Sequence, residues 1–275
     1  MDQEQTQIIE FLDELYVRYD CDYRDYAYTS IRRRIRHRMI LEQCSDLSVF
    51  CNRALQDAKL REKLVSDFSL QVTSMFRDPT FFRAFRQLVV PWLKELSYIR
   101  IWHAGCATGE EVYSMAILLS EEGLLDKCRI YATDIHEQAL HKARRGCVNV
   151  HTMQAYTRNY IQSGGCEEFS KYYKITGQEA YFQQELLSRV VFARHNLATD
   201  HSFHRFHVII CRNVMIYFNS KLRERVHKLF VESLGDQGFL ALGRKESLLV
   251  SDHAANYITV DSNEKIYRVK EDLLW

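Results

Sequence analysis

Ile99-Arg100-Ile101-Trp102-His103-Ala104-Gly105-Cys106-Ala107-Thr108-Gly109-Glu110-Glu111-Val112-Tyr113-Ser114 is the stretch that decides the fold. An apolar run of strand length, Ile99–His103, passes directly into small residues, and an apolar-periodic helix follows from Val112 to Leu119. Strand, small-residue turn and helix in that order open a nucleoside-binding α/β sheet, because small side chains let a ligand approach the backbone closely. The turn has neither G-x-G-x-x-G nor a terminal Gly-Lys-Ser/Thr. Glu110 and Glu111 at the helix entry would repel a diphosphate. A nucleoside with a positive centre suits the turn better, and S-adenosylmethionine is one.

Downstream, short apolar runs alternate with amphipathic stretches: Arg129–Thr133, Val190–His195, His207–Cys211 and Gly238–Leu242. Strands spaced by helices predict a mostly parallel sheet covered on both faces. Two last runs, Tyr257–Val260 and Ile266–Val269, flank a polar turn and predict an antiparallel hairpin at the end of the sheet. Ile130–Asp134 ends the second strand in a carboxylate, about 25–30 residues beyond the turn, where such acids bind ribose hydroxyls. Asp134 either does that or N-caps the next helix. Upstream, Ile8, Ile9, Leu12, Leu15 and Tyr16 recur at helical spacing, and so do Leu47, Phe50, Cys51, Leu55, Leu60 and Leu64.

The chain has 275 residues, 47% hydrophobic and 27% charged, enough for one α/β domain and a smaller helical one. The polar, acidic start, Met1-Asp2-Gln3-Glu4-Gln5, is wrong for a secretory signal, and no apolar stretch spans a bilayer. The eight cysteines contain no C-x-x-C pair, which predicts reduced, buried thiols in a cytoplasmic protein. A formal net charge of +1 hides five arginines within Tyr28–Met39.

The ordered set Trp102–Ser114, Ala132-Thr133-Asp134-Ile135, His195-Asn196-Leu197 and Cys211-Arg212-Asn213-Val214-Met215-Ile216-Tyr217-Phe218 resembles the chemotaxis protein-glutamate O-methyltransferases, the CheR family. The resemblance extends upstream to Thr73–Asp78 and to Ser30–Ile35, and so covers almost the whole chain. It implies a class I S-adenosylmethionine-dependent methyltransferase: a Rossmann-like, mostly parallel sheet with an antiparallel C-terminal hairpin, behind a small all-helical N-terminal domain. The expected domains are 1–72 and 73–275, with a short β insertion at about 171–192. The implied reaction moves a methyl group from S-adenosylmethionine to receptor glutamates, leaving S-adenosylhomocysteine. Thr73, Arg77, Ala104, Gly105, Glu110, Asp134, Ile135, Asn196, Leu197 and Asn213 would line the cofactor pocket, with Arg77 near the methionine carboxylate and Asp134 on the ribose. Arg212 and Tyr217 would meet the substrate glutamate. The chain departs from the family pattern at Gln71, at His103 and at Gly243-Arg244-Lys245-Glu246-Ser247.

For Arg212 the competing reading is a structural ion pair at the strand end, and for Tyr217 a half-buried aromatic. On a helix, Ile31, Ile35 and Met39 form one apolar stripe and leave Arg32, Arg33, Arg34, Arg36 and Arg38 on other faces. Five arginines in seven positions with almost no acid among them repel one another unless an acidic partner is present. The resemblance supplies one, the cytoplasmic methylation helices of chemoreceptors, met by a monomer that neither binds nucleic acid nor inserts in a membrane. His195, His201, His204 and His207 lack a completing ligand pattern, so no metal site is expected. A hairpin about Gly177 is predicted, and its short connection resembles members that need no receptor-tail peptide. Two further classes stay open: a nucleic-acid methyltransferase, against which stands the lack of an Asn/Asp-Pro-Pro-aromatic motif, and a non-catalytic S-adenosylmethionine sensor.

Overall fold

The computed structural model describes residues 2–68, 73–249 and 251–271, so Gln71 and the expected domain boundary at 72 lie outside the described residues. Two compact units emerge, Met1–Leu70 with Ile216–Arg225, and Gln71–Met215 with Val226–Trp275.

The first unit is built from α1 (Gln3–Tyr19), α2 (Tyr28–Leu41), α3 (Leu47–Gln56) and α4 (Ala58–Phe68). Ile8, Phe11, Leu12 and Leu15 make the buried stripe of α1, whereas Ile9, one step off it, is 40% exposed. The apolar pattern from Leu47 to Leu64 is two helices, because Asp57 takes extended backbone and its carboxylate accepts from the Lys59 and Leu60 amides. Asp46 caps α3 by accepting from the Val49 amide. Ile31, Ile35 and Met39 of α2 are buried against this core, as their spacing predicts. Ile216–Arg225 completes the unit: the Ala27 amide donates to the Tyr217 carbonyl, and the Phe218 ring meets Tyr26 edge-on.

In the second unit α5 (Pro79–Leu88) and α6 (Val90–Glu95) precede β1 (Ile99–Ala104), α7 (Glu110–Glu121), β2 (Cys128–Asp134), α8 (Glu137–Arg145), β3 (Cys147–Asn149) and α9 (Met153–Gln162). There follow β4 (Tyr173–Thr176), β5 (Glu179–Phe182), α10 (Gln184–Leu187), β6 (Val190–Arg194), β7 (Phe206–Cys211), α11 (Ser220–Ser233), which belongs to this unit from Val226 onward, β8 (Leu234–Leu242), β9 (Tyr257–Asp261) and β10 (Ile266–Val269). The main sheet runs β6-β2-β1-β7-β8-β10-β9, with every pair parallel up to β8 and β10 antiparallel to both neighbours. This is the predicted class I methyltransferase sheet with its terminal hairpin. Val112 through Leu119 of α7 are all buried, Ser114 among them, so this helix is covered on every side rather than along one apolar stripe.

The small sheet differs from expectation. The hairpin about Gly177 exists as β4 and β5, but β3 pairs antiparallel with the far edge of β5, so the order is β3-β5-β4. Cys147–Asn149 is too short to carry a strand signal of its own. Cysteine burial is also mixed: all eight are free thiols, but Cys166 is exposed and Cys21, Cys44 and Cys147 are half-buried. Among the described residues no helix is long and apolar enough to cross a membrane.

Candidate active site at the carboxyl ends of the strands

Strand order in the sheet reverses at β1, which lies between β2 and β7. In open α/β sheets ligands bind outside the carboxyl ends of the strands at such a switch point. There the chain places Ala104 and Gly105 at the end of β1, Asp134 and Ile135 at the end of β2, Asn196 and Leu197 after β6, and Arg212 and Asn213 after β7. Those residues, scattered over more than a hundred positions, share one edge of the sheet because their strands are neighbours.

The β1 turn is tied to the end of β2. Gly105 and Cys106 donate to the Thr133 carbonyl at 2.8 and 2.9 Å, and the Ala107 amide donates to Asp134 Oδ2 at 2.9 Å. Asp134 Oδ1 accepts from the His136 amide, also at 2.9 Å. The N-cap of α8 is His136, so the capping alternative for Asp134 does not hold; its carboxylate anchors two loops instead. Each oxygen keeps a second lone pair, the donor-poor chemistry that a ribose diol, which brings two O–H donors, fits. Gly105 has φ +80°, and a Cβ there would come within 2.5 Å of Val214 Cγ2. Gly105→Ala is therefore expected to destabilise the protein by about 1–3 kcal/mol in denaturant titration.

Glu110, almost buried at the head of α7, accepts from the Thr108 hydroxyl at 2.6 Å, and burial pushes its carboxyl above the usual range. Leu197 is buried, Ala104 is buried, Thr73, Ile135, Asn196 and Asn213 are half-buried, and Arg77 is exposed. The Asn196 side chain accepts from the Ala198 amide, shaping its own turn.

Arg212 is held by acids that its local sequence does not identify. Its side chain is 1% exposed, and its two terminal nitrogens each lie 2.8 Å from a carboxylate, Nη1 from Glu111 and Nη2 from Asp78. Nη1 also lies 3.4 Å from the Arg77 carbonyl, and the guanidinium sits over the Phe81 ring. The ion pair weighed as its alternative is present, while the buried Nε has no hydrogen-bond partner among the described residues. Tyr217, the other residue expected at the substrate, belongs to the first compact unit and is half-buried.

Four residues with a large part in this site were not named as site residues in the sequence reading: Asp78, His103, Glu111 and Glu246. The His103 Nδ1 lies 3.2 Å from Glu111. The Glu246 carboxylate accepts from four backbone amides, those of Asn213, Val214, Met215 and Gly243. Asn213, at φ +63°, is held in the left-handed region by those contacts. No local spacing signals such a clamp; an acid near the end of a strand is the only sign of it.

The histidines are otherwise engaged: the His207 ring accepts from the Arg100 amide, and His195 Nε2 lies 3.1 Å from the His201 carbonyl. Among the described residues no group of three or more His, Cys, Asp or Glu stands ready for a metal ion.

On α2, Arg32 and Arg36 both reach Glu4 at 2.8 Å, and their hydrogen bonds, that of Arg36 first, bring its carboxyl down to about 2. Arg38 turns inward to Asp67 at 2.6 and 2.8 Å. The fold thus supplies acids that the local sequence lacks, and the self-repulsion argument for a partner loses force. Arg33 is exposed and Arg34 half-buried.

Comparison with known proteins bears on this geometry. Residues 71–266 match the family model described as CheR methyltransferase, SAM binding domain, and residues 6–69 match the CheR methyltransferase all-alpha domain. A Pseudomonas putida protein whose name includes "methyltransferase Cher3" is 42% identical over 94% of this chain and 94% of its own. Proteins named chemotaxis protein methyltransferase, from Listeria innocua and Salmonella typhimurium, are each 28% identical over 82% of this chain, covering 83% and 76% of theirs.

Proposed function

Since the chain belongs to the CheR methyltransferase family, S-adenosylmethionine-dependent enzymes of chemotaxis, we propose that it esterifies glutamate side chains on the cytoplasmic methylation helices of chemoreceptors. The observation that carries this reading is the Asp134 carboxylate, held by the Ala107 and His136 amides at the switch point of the sheet with lone pairs to spare. S-adenosylmethionine supplies an electrophilic methyl group on a sulfonium centre. The residues that would hold it are Asp134 on the ribose, Glu110, Asn196 and Leu197 around the nucleoside, Ala104, Gly105, Ile135 and Asn213 along the strand ends, and Thr73 and Arg77 at the methionine end.

A glutamate with a reference pKa of about 4.3 is already a nucleophile at neutral pH, so no general base is required. What remains is to align the carboxylate in line with the methyl group and strip its water. In this reading the Tyr217 hydroxyl donates to the incoming carboxylate, and Arg212, paired with its two acids, orders the Arg77–Asp78 turn.

The exposed faces of α2, with Arg33 foremost and Arg32, Arg34 and Arg36 beside it, meet the acidic receptor helix, and one copy of the protein suffices. Arg38, engaged with Asp67, serves the fold. Arg33→Glu is expected to raise the Michaelis constant for receptor severalfold, more at low than at high salt, while S-adenosylhomocysteine affinity stays unchanged.

The decisive assay transfers labelled methyl from S-adenosylmethionine to purified cytoplasmic receptor fragments. Base-labile label that collapses in Tyr217→Phe supports the reading. Cofactor binding without transfer moves the protein to the sensor class, and transfer to RNA moves it to the nucleic-acid enzymes.

A further inference from the structure

The polar contacts around Arg212 do not end at Glu111. His103, on β1, is 1% exposed, and its Nδ1 faces Glu111 Oε1 at 3.2 Å while Nε2 is buried without a hydrogen-bond partner. An ionised carboxylate only accepts, so the ring proton that serves this contact is on Nδ1. Glu111 Oε2 then faces Arg212, and Arg212 faces Asp78 and the Arg77 carbonyl. At the far end of this line, Phe76 and Asp78 sit at φ +50° and +55°, conformations that non-glycine residues keep only when their surroundings impose them. The Phe76 amide has one further anchor, the Ser114 hydroxyl at 2.8 Å.

We propose that His103 is a positioning residue which, through Glu111 and Arg212, fixes the Phe76–Asp78 turn and with it the presentation of Arg77 to the methyl donor. Neither oxygen of Glu111 is redundant: one faces the imidazole, the other the guanidinium, so the hydrogen bond from His103 sets the rotation of the carboxylate. Burial pushes Glu111 up, but the His103 contact, the largest opposing influence, and Arg212 bring its carboxyl below the usual range and keep it a charged acceptor. Removing the imidazole frees the carboxylate to turn, and the tie from β1 to the turn is lost.

This inference rests on the reading of Arg77 as a contact for the cofactor. The test is calorimetric binding of S-adenosylhomocysteine to the full chain and to its His103→Leu, His103→Asn and Arg77→Ala variants, with thermal unfolding of each. Leucine fills the space without a donor, and the asparagine amide nitrogen can donate to Glu111 from near the position of Nδ1. His103→Leu is expected to weaken binding about tenfold, and His103→Asn to restore it to within about threefold. Weakened binding in Arg77→Ala beside wild-type affinity in His103→Leu overturns the inference and leaves the Arg77 reading intact. Wild-type affinity in Arg77→Ala overturns that reading, and the inference with it. Should His103→Leu fail to fold, nitrogen NMR of the wild-type imidazole decides: a proton on Nδ1 supports the proposal, and an unprotonated Nδ1 overturns it.

Discussion

Asp134→Ala is expected to weaken S-adenosylhomocysteine binding by roughly a hundredfold or more, read by calorimetry, and to abolish methyl transfer at ordinary cofactor concentrations. Two losses combine. Hydrogen bonds from a ribose diol to a charged acceptor contribute about 1.5–3 kcal/mol each. The same substitution also removes the acceptor for the Ala107 and His136 amides, so the β1 turn and the start of α8 lose their common anchor. Asp134→Asn removes less of the anchor: it keeps a carbonyl oxygen for one of the two backbone donors, while its NH₂ group faces the other donor and the ribose hydroxyls, so binding falls and the fold is weakened less than in alanine. Near wild-type affinity in the alanine variant would show that the ribose is held elsewhere.

The second large effect is expected at Glu246. Its carboxylate, 5% exposed, accepts four backbone N–H groups at 2.5–3.0 Å, which fold the segment after β7 back against the end of β8. Leucine at this position would leave those donors buried without partners, at about 1–3 kcal/mol for each that cannot reach water. Allowing for partial relaxation, Glu246→Leu should cost roughly 4–6 kcal/mol, which for a domain of this size lowers the melting temperature by about 10 °C or more. Glutamine is not a conservative exchange here, since its NH₂ group would face two N–H donors. Glu246→Gln should therefore lose transfer activity along with stability, because Asn213 leaves the left-handed conformation that the clamp imposes. A melting temperature within a degree or two of wild type in both variants would refute the clamp.

These two residues were unequally visible in the sequence. Asp134 ends an apolar run at a fixed distance from a small-residue turn, and both cues are local: strand periodicity marks the run, and the chain from turn to acid is one βαβ step. Glu246 carries no such cue, because three of its four partners are backbone amides 31–33 residues earlier, reached only when β8 lies alongside β7.

The same division runs through the molecule. By itself the sequence determined the order of strands and helices, the small-residue turn, the carboxylate at the end of β2, the terminal hairpin and the apolar stripe of α2. Each depends on side chains within a few residues of one another, where the periods of 3.6 and 2 act. Tertiary structure alone decided that β3 joins β5 and that the arginines of α2 find Glu4 and Asp67. It also decided that Arg212 pairs with acids 101 and 134 positions away. Any of many carboxylates satisfies a guanidinium equally well in the sequence, and only the path of the backbone selects which one arrives within 2.8 Å.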